Sequence, residues 1–262
     1  MFKKEIMPGV MLYRPNFDFK ACLDLIKDLE VEKYDLLFKE WDRWGEIPDY
    51  YKTNINFQEI SENSEYQILK DFVALYDQYF YEYLSDIKGT DYLPDFIDYS
   101  GNKNWVYDGG MLQKHKGISQ EQYDETEKKL GLSFHLDLAT SDRGPGYKHI
   151  FTGNFYFNDD YKKGDILFAI KKSLKEDDYS EEKLDFFQFK PQAGDFIFYP
   201  ANFAHAVYRA IDADRYLTVA TCKYRVSEGE DMSIHIPKDM SNINRINHEI
   251  DGIKFIDSKD IK

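Results

Sequence analysis

The sequence predicts an α+β protein with a mainly β core, arranged as a sandwich or barrel-like jelly roll that follows N-terminal helices. After about residue 95, short segments with alternating apolar and polar residues are separated by Gly, Asn, Asp and Pro, a pattern typical of strands and turns. Before that point, apolar residues recur at helical spacing. The chain of 262 residues suits a single domain, which we divide into an N-terminal helical support region (1–95), a β core (96–226) and a C-terminal extension (227–262).

The N-terminal region is predicted to contain one short strand and two helices. Residues 5–13 (EIMPGVMLY) form the strand, which is interrupted by its Pro-Gly pair. Residues 17–30 place their apolar side chains on one helical face. A longer amphipathic helix covers residues 64–87, with its N-cap at Asn63 or Ser64 and a stripe of aromatic residues three and four apart. We expect this stripe to pack against a sheet.

The β core is predicted to contain about eight short strands, a number and spacing typical of sandwiches and barrels. They lie at about residues 104–115, 132–138, 150–158, 165–171, 186–190, 195–199, 204–210 and 215–225. Residues 171–185 are charged and rich in turn formers, so we expect a solvated loop there. The tail after Val226 shows no periodicity that predicts a further element.

Charge and cysteine usage narrow the choice of partner and compartment. The net charge of −14, from 34 basic and 48 acidic residues, repels phosphate backbones and anionic membrane surfaces, so neither nucleic acid nor a membrane is an expected partner. The two cysteines, Cys22 and Cys222, lie far apart and suit reduced thiols. No apolar stretch is long enough for a membrane span, and the opening segment does not have the pattern of a signal peptide. We therefore expect a cytoplasmic protein, whose oligomeric state the sequence leaves open.

A histidine and an aspartate stand two residues apart in the predicted strand LSFHLDLA, at His135 and Asp137. Residues i and i+2 of a strand share a face, so both side chains can reach one point. His205, in GDFIFYPANFAHAV, begins a later predicted strand. Two imidazoles and one carboxylate form the set that holds Fe(II) with open coordination positions, although zinc uses the same donors and a hydrogen-bonded structural pair gives the same pattern.

A possible anion site accompanies these ligands. Arg215, in DADRYLTVATCKYR, needs an anion if it points into the barrel. A small dicarboxylate that chelates the metal with its other end satisfies both demands. Thr152, Asn154 and Tyr156 share one face of a predicted strand, opposite its phenylalanines, and this polar face either lines a ligand cavity or meets water.

Four linked motifs resemble those of the iron(II)- and 2-oxoglutarate-dependent dioxygenases, specifically the prolyl-4-hydroxylase-like branch. The motifs are HLD, FYFNDDYKKGDILFA, KPQAGDFIFYPANFAHAV and DRYLTV, within about residues 104–225. The resemblance implies that the β core is a double-stranded β-helix, a jelly roll, with supporting N-terminal α-helices.

The resemblance also implies roles for individual residues. His135, Asp137 and His205 match the metal ligands. Arg215 matches the residue that binds the distal carboxylate of 2-oxoglutarate, and Tyr156 matches a tyrosine that donates a hydrogen bond to the same carboxylate.

Three further residues are candidates for cosubstrate binding. Asn154 and Thr221 lie on the same strand faces as Tyr156 and Arg215, respectively. His115 stands where relatives often have a tyrosine, and it is followed by an insertion at residues 116–131. It either donates a hydrogen bond to the cosubstrate, lies near the substrate, or has an exposed or structural role.

The implied activity is oxidative decarboxylation of 2-oxoglutarate coupled to hydroxylation of an unactivated C–H bond. It requires Fe(II), 2-oxoglutarate and O2, with ascorbate as a candidate reductant. The branch resemblance favours a prolyl or other residue of a peptide or protein as substrate, with a free amino acid or small metabolite as the alternative. Two hypotheses of other classes remain: a non-catalytic metal-binding jelly-roll module, and a cupin-like enzyme that does not use 2-oxoglutarate.

Overall fold

Two facing sheets and a layer of helices make up the protein in a computed structural model. The structure describes residues 2–37, 39–40, 50–56, 66–90, 92, 105–127, 129–137, 147–173, 180–225, 250 and 252–262. In chain order the strands are β1 (Phe2–Met7), β2 (Val10–Arg14), β3 (Lys39–Glu40), β4 (Tyr50–Asn56), β5 (Trp105–His115), β6 (Leu130–His135), β7 (Tyr147–Tyr156), β8 (Lys162–Lys163), β9 (Ile166–Lys171), β10 (Leu184–Lys190), β11 (Phe196–Pro200), β12 (Ala204–Tyr208), β13 (Ala210–Ile211), β14 (Arg215–Arg225) and β15 (Lys254–Asp257). All eight strands predicted for the β core are present.

The larger sheet has eight strands in the order β1-β2-β11-β7-β14-β5-β4-β3, and the smaller has five in the order β15-β10-β9-β12-β6. A two-stranded ribbon, β8 with β13, lies beside them. The pairs within the larger sheet are antiparallel. Several neighbouring strands are far apart in the sequence, such as β2 with β11 and β6 with β12, as expected for a rolled sheet rather than a simple meander.

Within the described residues, the sheets are accompanied by the α-helices α1 (Phe19–Leu37), α2 (Gln67–Ile87) and α3 (Gln120–Glu125). The predicted N-cap of the long helix at Asn63 or Ser64 is wrong, because the helix begins at Gln67 and its N-cap is Tyr66, which makes no side-chain capping bond. Burial of the helix from Leu69 onward stabilises it in place of a cap.

The aromatic stripe of α2 packs on the outer face of the larger sheet, as predicted. The ring of Phe72 lies 5.0 Å from that of Phe155 and 5.2 Å from that of Phe157. About two turns further along the helix, the ring of Phe80 lies 4.9 Å from that of Phe151. The phenylalanines of β7 therefore face the helices, which leaves the opposite face of β7 to the interior between the sheets.

The interior between the two sheets is mainly apolar. Its buried side chains come from both sheets: Met7, Val10, Leu12, Tyr156, Ile166, Phe168, Ile170, Phe187, Phe189, Ile197, Tyr199, Phe203, Val207 and Leu217. A polar side chain that points into this space is shielded from water, so its interactions are stronger than at the surface.

The two ends of the chain contribute strands beyond those predicted. The predicted strand 5–13 is a hairpin of β1 and β2 that turns at its Pro-Gly pair, and the N-terminal region adds β4, which pairs with β5. The C-terminal extension contributes β15, which pairs in parallel with β10. A strand of four residues is too short to show periodicity, so the sequence pattern did not reveal it.

A buried ionic network ties the C-terminal segment to the core. The Arg14 guanidinium donates to Asp195 Oδ1 at 3.0 Å, to the carbonyl of Ile261 at 2.7 Å and to Ser258 Oγ at 2.8 Å. Asp195 is fully buried and also accepts from the backbone N–H of Gln192 at 2.8 Å. The carboxylate is thus paired and hydrogen-bonded, as a buried charge requires.

The predicted insertion 116–131 contains the short helix α3. Its N-terminus has a capping box formed by Ser119 and Gln122. Cys22 and Cys222 are free and buried. None of the helices in the described part of the chain has the length and apolar character to span a membrane.

Replacing Gly153 by alanine should destabilise the protein. A Cβ at this position of β7 would lie 2.5 Å from Cε1 of Phe198, whose ring is packed in the core. Overpacking of this kind costs about 1–3 kcal/mol of unfolding free energy. Gly131→Ala in β6 is the matched control, because its Cβ would meet Arg209 at 3.5 Å, an ordinary contact. Urea denaturation measures both, and equal stability of the two variants would contradict this packing.

Candidate metal centre and anion site

Three side chains of types that can ligate a metal converge between the sheets. His135 ends β6, Asp137 follows it, and His205 lies in β12 directly opposite His135 in the strand register. Directly opposed residues of paired strands share a face, and the two imidazole rings lie 4.2 Å apart between centroids. One potential ligand atom from each of the three residues lies within 4.8 Å of the other two. The group could hold one metal ion.

Asp137 reaches this point from a bend rather than from the strand. The predicted strand 132–138 ends at His135, so the expected shared strand face does not place the aspartate. Its carboxylate still meets both imidazoles: Oδ1 lies 3.6 Å from Nε2 of His135, and Oδ2 lies 3.7 Å from Nε2 of His205.

Both imidazoles expose the same nitrogen to the shared point. Nδ1 of His135 lies 2.9 Å from the carbonyl of Ser133, and Nδ1 of His205 lies 3.1 Å from the carbonyl of Phe203. A carbonyl only accepts, so Nδ1 carries the proton in each ring and Nε2 keeps its lone pair. Hydrogen bonding of the outer nitrogen is the usual way in which proteins orient a metal-binding histidine. The donor set therefore fits a metal.

The three groups perturb each other's ionisation. Burial alone would raise the pKa of Asp137, but the two imidazoles and a hydrogen bond from Thr152 hold it below its usual value. Burial lowers the pKa of His205 to about 4, against the opposing effect of Asp137. Burial also lowers the pKa of His135, but the hydrogen bond and charge of Asp137 outweigh burial and raise this pKa above its usual value. A carboxylate and a neutral His205 are the forms that bind a metal.

The polar face of β7 orients the aspartate. Thr152 Oγ1 donates to Asp137 Oδ2 at 2.7 Å. Tyr199 Oη lies 3.4 Å from the same oxygen, and Asn154 Nδ2 donates to Tyr199 Oη at 3.3 Å. This face therefore meets the interior rather than water. Asn154 Oδ1 is buried and has no hydrogen-bond partner among the described residues.

Arg215 is a buried cation that forms no ion pair with any described carboxylate. The residue is only 1% exposed. Within the described residues, no carboxylate lies at ion-pair distance from its guanidinium. The guanidinium donates to the carbonyl of Gly164 and, from Nη2, to His115 Nδ1 at 2.6 Å. Its Nε is buried and has no hydrogen-bond partner in the part of the chain that the structure describes. A buried charge of this kind demands a counter-ion, which a bound ligand can supply.

Two tyrosines lie in the electrostatic field of Arg215. Burial raises the pKa of Tyr156 to about 12, and the Arg215 charge opposes that rise. Burial also raises the pKa of Tyr161, again against the Arg215 charge, and its Oη is buried with no partner among the described residues. Gly164, at φ +72°, brings its turn close to both Tyr161 and Arg215. A Cβ there would lie 2.7 Å from the Tyr161 ring and 3.6 Å from Arg215 Cδ.

Sequence reasoning missed Tyr161. The signal was present in the motif FYFNDDYKKGDILFA, where Tyr161 is followed by Lys-Lys-Gly. The glycine, Gly164, lies in the left-handed region and marks a tight turn. The fold places this turn beside Arg215, and the motif alone does not reveal that neighbour.

The remaining candidates take different positions. His115 lies opposite Arg215 in the register of β5 and β14, with its Nδ1 directed at the guanidinium instead of a ligand. Thr221 is opposite Thr152, so it lies at the metal end of β14 and not beside Arg215. Its predicted part in cosubstrate binding stays a prediction.

Comparison with known proteins identifies the fold. No protein-family model and no curated protein sequence matches this chain. The structure is similar to that of the non-haem α-ketoglutarate-dependent epimerase SnoN from nogalamycin biosynthesis. The match covers 90% of this chain and 88% of the SnoN chain, at 13% identity and a TM-score of 0.54. A Trichoplax adhaerens prolyl hydroxylase, solved with a hypoxia inducible factor peptide fragment, matches 83% over 83% at 16% identity and TM-score 0.52. The α-ketoglutarate-dependent carbocyclase SnoK matches 88% over 88% at 12% identity and TM-score 0.52. The chain therefore has the jelly-roll fold of the 2-oxoglutarate–Fe(II) oxygenases, which confirms the predicted fold class.

Proposed function

We propose that this protein is an Fe(II)- and 2-oxoglutarate-dependent dioxygenase that hydroxylates an unactivated C–H bond. The observation that carries the proposal is the buried Arg215, which has no carboxylate partner in the described part of the chain and belongs to the same jelly roll as a three-residue metal-binding group. A ligand with a chelating 2-oxo acid at one end and a second carboxylate at the other meets both requirements.

His135, Asp137 and His205 would hold the iron. Two nitrogens and one oxygen leave coordination positions for other ligands, which is the arrangement of non-haem Fe(II) oxygenases. Bound iron, with 2-oxoglutarate and O2, would supply the oxidising power for hydroxylation. Ascorbate is a candidate reductant for keeping the iron ferrous. The task of the protein is to hold the ligands in place and to keep the reaction away from bulk water.

Arg215 would bind the distal carboxylate of 2-oxoglutarate through N–H groups that have no partner among the described residues. Its unpartnered Nε supports this role. Tyr156 and Tyr161 would donate further hydrogen bonds, since both remain protonated far above neutral pH. Asn154 and Thr221 would contact the cosubstrate nearer the metal.

For the substrate, we propose a prolyl or other residue of a peptide or protein. The support is the resemblance of the four sequence motifs to the prolyl-4-hydroxylase-like branch. The net charge of −14 favours a neutral or cationic substrate over a polyanion.

The absence of a described carboxylate partner for Arg215 also argues against a non-catalytic metal-binding module. A structural ion held by three side chains needs no second, anion-binding group buried in the same fold. A buried cation without a counter-ion costs stability, so a module with no ligand for Arg215 would be more stable with an apolar residue there.

The proposal is tested by release of labelled CO2 from 2-oxoglutarate labelled at C1. We expect release that requires both Fe(II) and O2, together with a gain of one oxygen atom by one member of a panel of peptides, amino acids and metabolites, detected by mass spectrometry. Oxygen uptake without CO2 release would indicate an oxygenase that does not use 2-oxoglutarate. Neither uptake nor release by the iron-loaded protein across the panel would support the non-catalytic module.

Replacing Tyr161 by phenylalanine should weaken 2-oxoglutarate binding without destabilising the protein. The lost hydroxyl is buried and unpartnered in the described structure, and leaving such a group unsatisfied costs about 1–3 kcal/mol, so its removal should leave the unliganded protein at least as stable. Loss of one hydrogen bond to a carboxylate should weaken cosubstrate binding roughly tenfold. Calorimetry under anaerobic conditions and thermal denaturation measure the two effects.

Tyr83→Phe is the matched control. Its hydroxyl is also buried but donates to the carbonyl of Gly9 at 2.8 Å, on the helical side of the larger sheet. This variant should lose stability and keep its cosubstrate affinity. If Tyr161→Phe instead destabilises the protein and binds 2-oxoglutarate normally, the Tyr161 hydroxyl has a structural role.

A further inference from the structure

Three polar side chains form a hydrogen-bonded series across β5 and β14. Arg215 Nη2 lies 2.6 Å from His115 Nδ1, and His115 Nε2 lies 3.3 Å from Gln113 Oε1. Arg215 and His115 are directly opposite in the strand register, so the contact follows from the pairing of the two strands. Gln113 and His115 are two apart on β5 and share a face.

The chemistry of these groups determines which ring nitrogen of His115 carries the proton. A guanidinium has five N–H donors and no acceptor, so the ring nitrogen that faces it must offer a lone pair. Nδ1 of His115 is therefore unprotonated. In a neutral ring the proton is then on Nε2, where Gln113 Oε1 is placed to accept it.

A protonated His115 could not make this contact. Both of its nitrogens would be donors, and a second cation would lie against the guanidinium. Burial, the larger effect, and the charge of Arg215 both hold the pKa of His115 well below its usual value. The imidazole is therefore neutral at physiological pH.

The two described acceptors of Arg215 share one property: neither is charged. They are the carbonyl of Gly164 and the neutral imidazole of His115. Each can orient the guanidinium plane, but neither cancels its charge. A carboxylate in place of His115 would orient the guanidinium equally well, yet it would neutralise the anion site.

We propose that His115 is a positioning residue that holds Arg215 for the distal carboxylate of a 2-oxo dicarboxylate, and thereby sets the preference of the site for dicarboxylates over monocarboxylates. This inference rests on the proposed function, since it assigns the ligand of Arg215 to the cosubstrate. His115 acts through Arg215 and does not itself touch the ligand.

Two variants separate positioning from bulk packing. His115→Asn keeps an acceptor, because the asparagine Oδ1 is as many bonds from the backbone as the imidazole Nδ1. His115→Leu fills the space with an apolar side chain and removes the acceptor. Dissociation constants of 2-oxoglutarate and of pyruvate, which lacks the distal carboxylate, are measured by calorimetry on Fe(II)-loaded protein without oxygen.

We expect the wild-type protein to bind 2-oxoglutarate more tightly than pyruvate. His115→Leu should weaken 2-oxoglutarate binding about tenfold to a hundredfold, the range for a lost charge-assisted hydrogen bond, and leave pyruvate binding unchanged. His115→Asn should restore most of the preference. Equal weakening of both ligands, or no weakening of either, would overturn the positioning role.

The same experiment distinguishes a failure of the proposed cosubstrate site from a failure of the positioning role of His115. If the wild-type protein shows no preference for 2-oxoglutarate over pyruvate, the proposed cosubstrate site fails, and the role of His115 fails with it. If the wild-type preference is present but His115→Leu retains it, only the inference about His115 fails.

A second readout needs neither metal nor turnover. Nitrogen NMR of the metal-free protein, with the His115 signal assigned from the His115→Asn spectrum, reports which ring nitrogen carries the proton. We expect a neutral ring protonated at Nε2 at neutral pH. A ring protonated at Nδ1, or at both nitrogens, would overturn the proposal whatever the binding data show.

Discussion

Replacing His205 by alanine should abolish Fe(II) binding and the turnover that depends on it. The variant removes one of three ligand atoms that lie within 4.8 Å of one another, and no other described histidine, cysteine or carboxylate joins that group. Loss even of a residue that only supports a metal ligand commonly weakens binding 10- to 100-fold, so loss of a ligand should weaken it by about a hundredfold or more. Equilibrium dialysis with Fe(II) under anaerobic conditions measures the change.

The fold should survive this substitution, which makes the experiment interpretable. Wild-type protein should gain thermal stability on addition of metal, because an ion that binds only the folded state stabilises it. His205→Ala should show a circular dichroism spectrum like that of the metal-free wild type and no gain in stability with metal. Binding of one Fe(II) with wild-type affinity would remove His205 from the metal centre. His135→Ala provides an independent repeat.

Replacing Arg215 by methionine should have two opposite effects. Binding of 2-oxoglutarate should weaken by about 2–4 kcal/mol, or roughly 30- to 1,000-fold, because a charge-assisted, bidentate contact is lost in a buried site. Without ligand, the variant should be at least as stable as the wild type, because it removes a buried cation that has no counter-ion in the described structure. Calorimetry and urea denaturation measure the two quantities.

Arg215→Lys is the matched control for charge. It retains the cation but not the planar fork, so binding of 2-oxoglutarate should fall between the wild type and the methionine variant. Wild-type binding by Arg215→Met would show that the cosubstrate carboxylate does not contact this residue. A large loss of stability in Arg215→Met without ligand would show that the hydrogen bonds of the guanidinium to Gly164 and His115 stabilise the fold by more than its buried charge costs.

The strands of the β core and the convergence of His135, Asp137 and His205 could be predicted because their signals are local. Alternation within a strand gave β5, β7 and β14 close to their observed bounds. His135 and Asp137 are close in sequence, and any fold that buries one brings the other near. The expected geometry was still wrong in detail, because Asp137 lies in a bend that the alternation does not mark.

The parts that could not be predicted depend on contacts distant in sequence. The contact of His115 with Arg215 follows from the register of β5 and β14, which the pattern of neither strand specifies. The unpartnered hydroxyl of Tyr161 becomes meaningful only once the turn before β9 is packed against Arg215. The clamp of Arg14 on Ser258 joins residues 244 apart, and nothing local indicates it.

The central claim is that one metal ion and Arg215 together bind a single 2-oxoglutarate. Its most direct test is equilibrium dialysis of labelled 2-oxoglutarate against anaerobic, Fe(II)-loaded protein, which requires no knowledge of the substrate. We predict one 2-oxoglutarate per iron, with binding greatly weakened both in metal-free protein and in Arg215→Met. No binding to the iron-loaded protein, or equal binding with and without metal, would contradict the account.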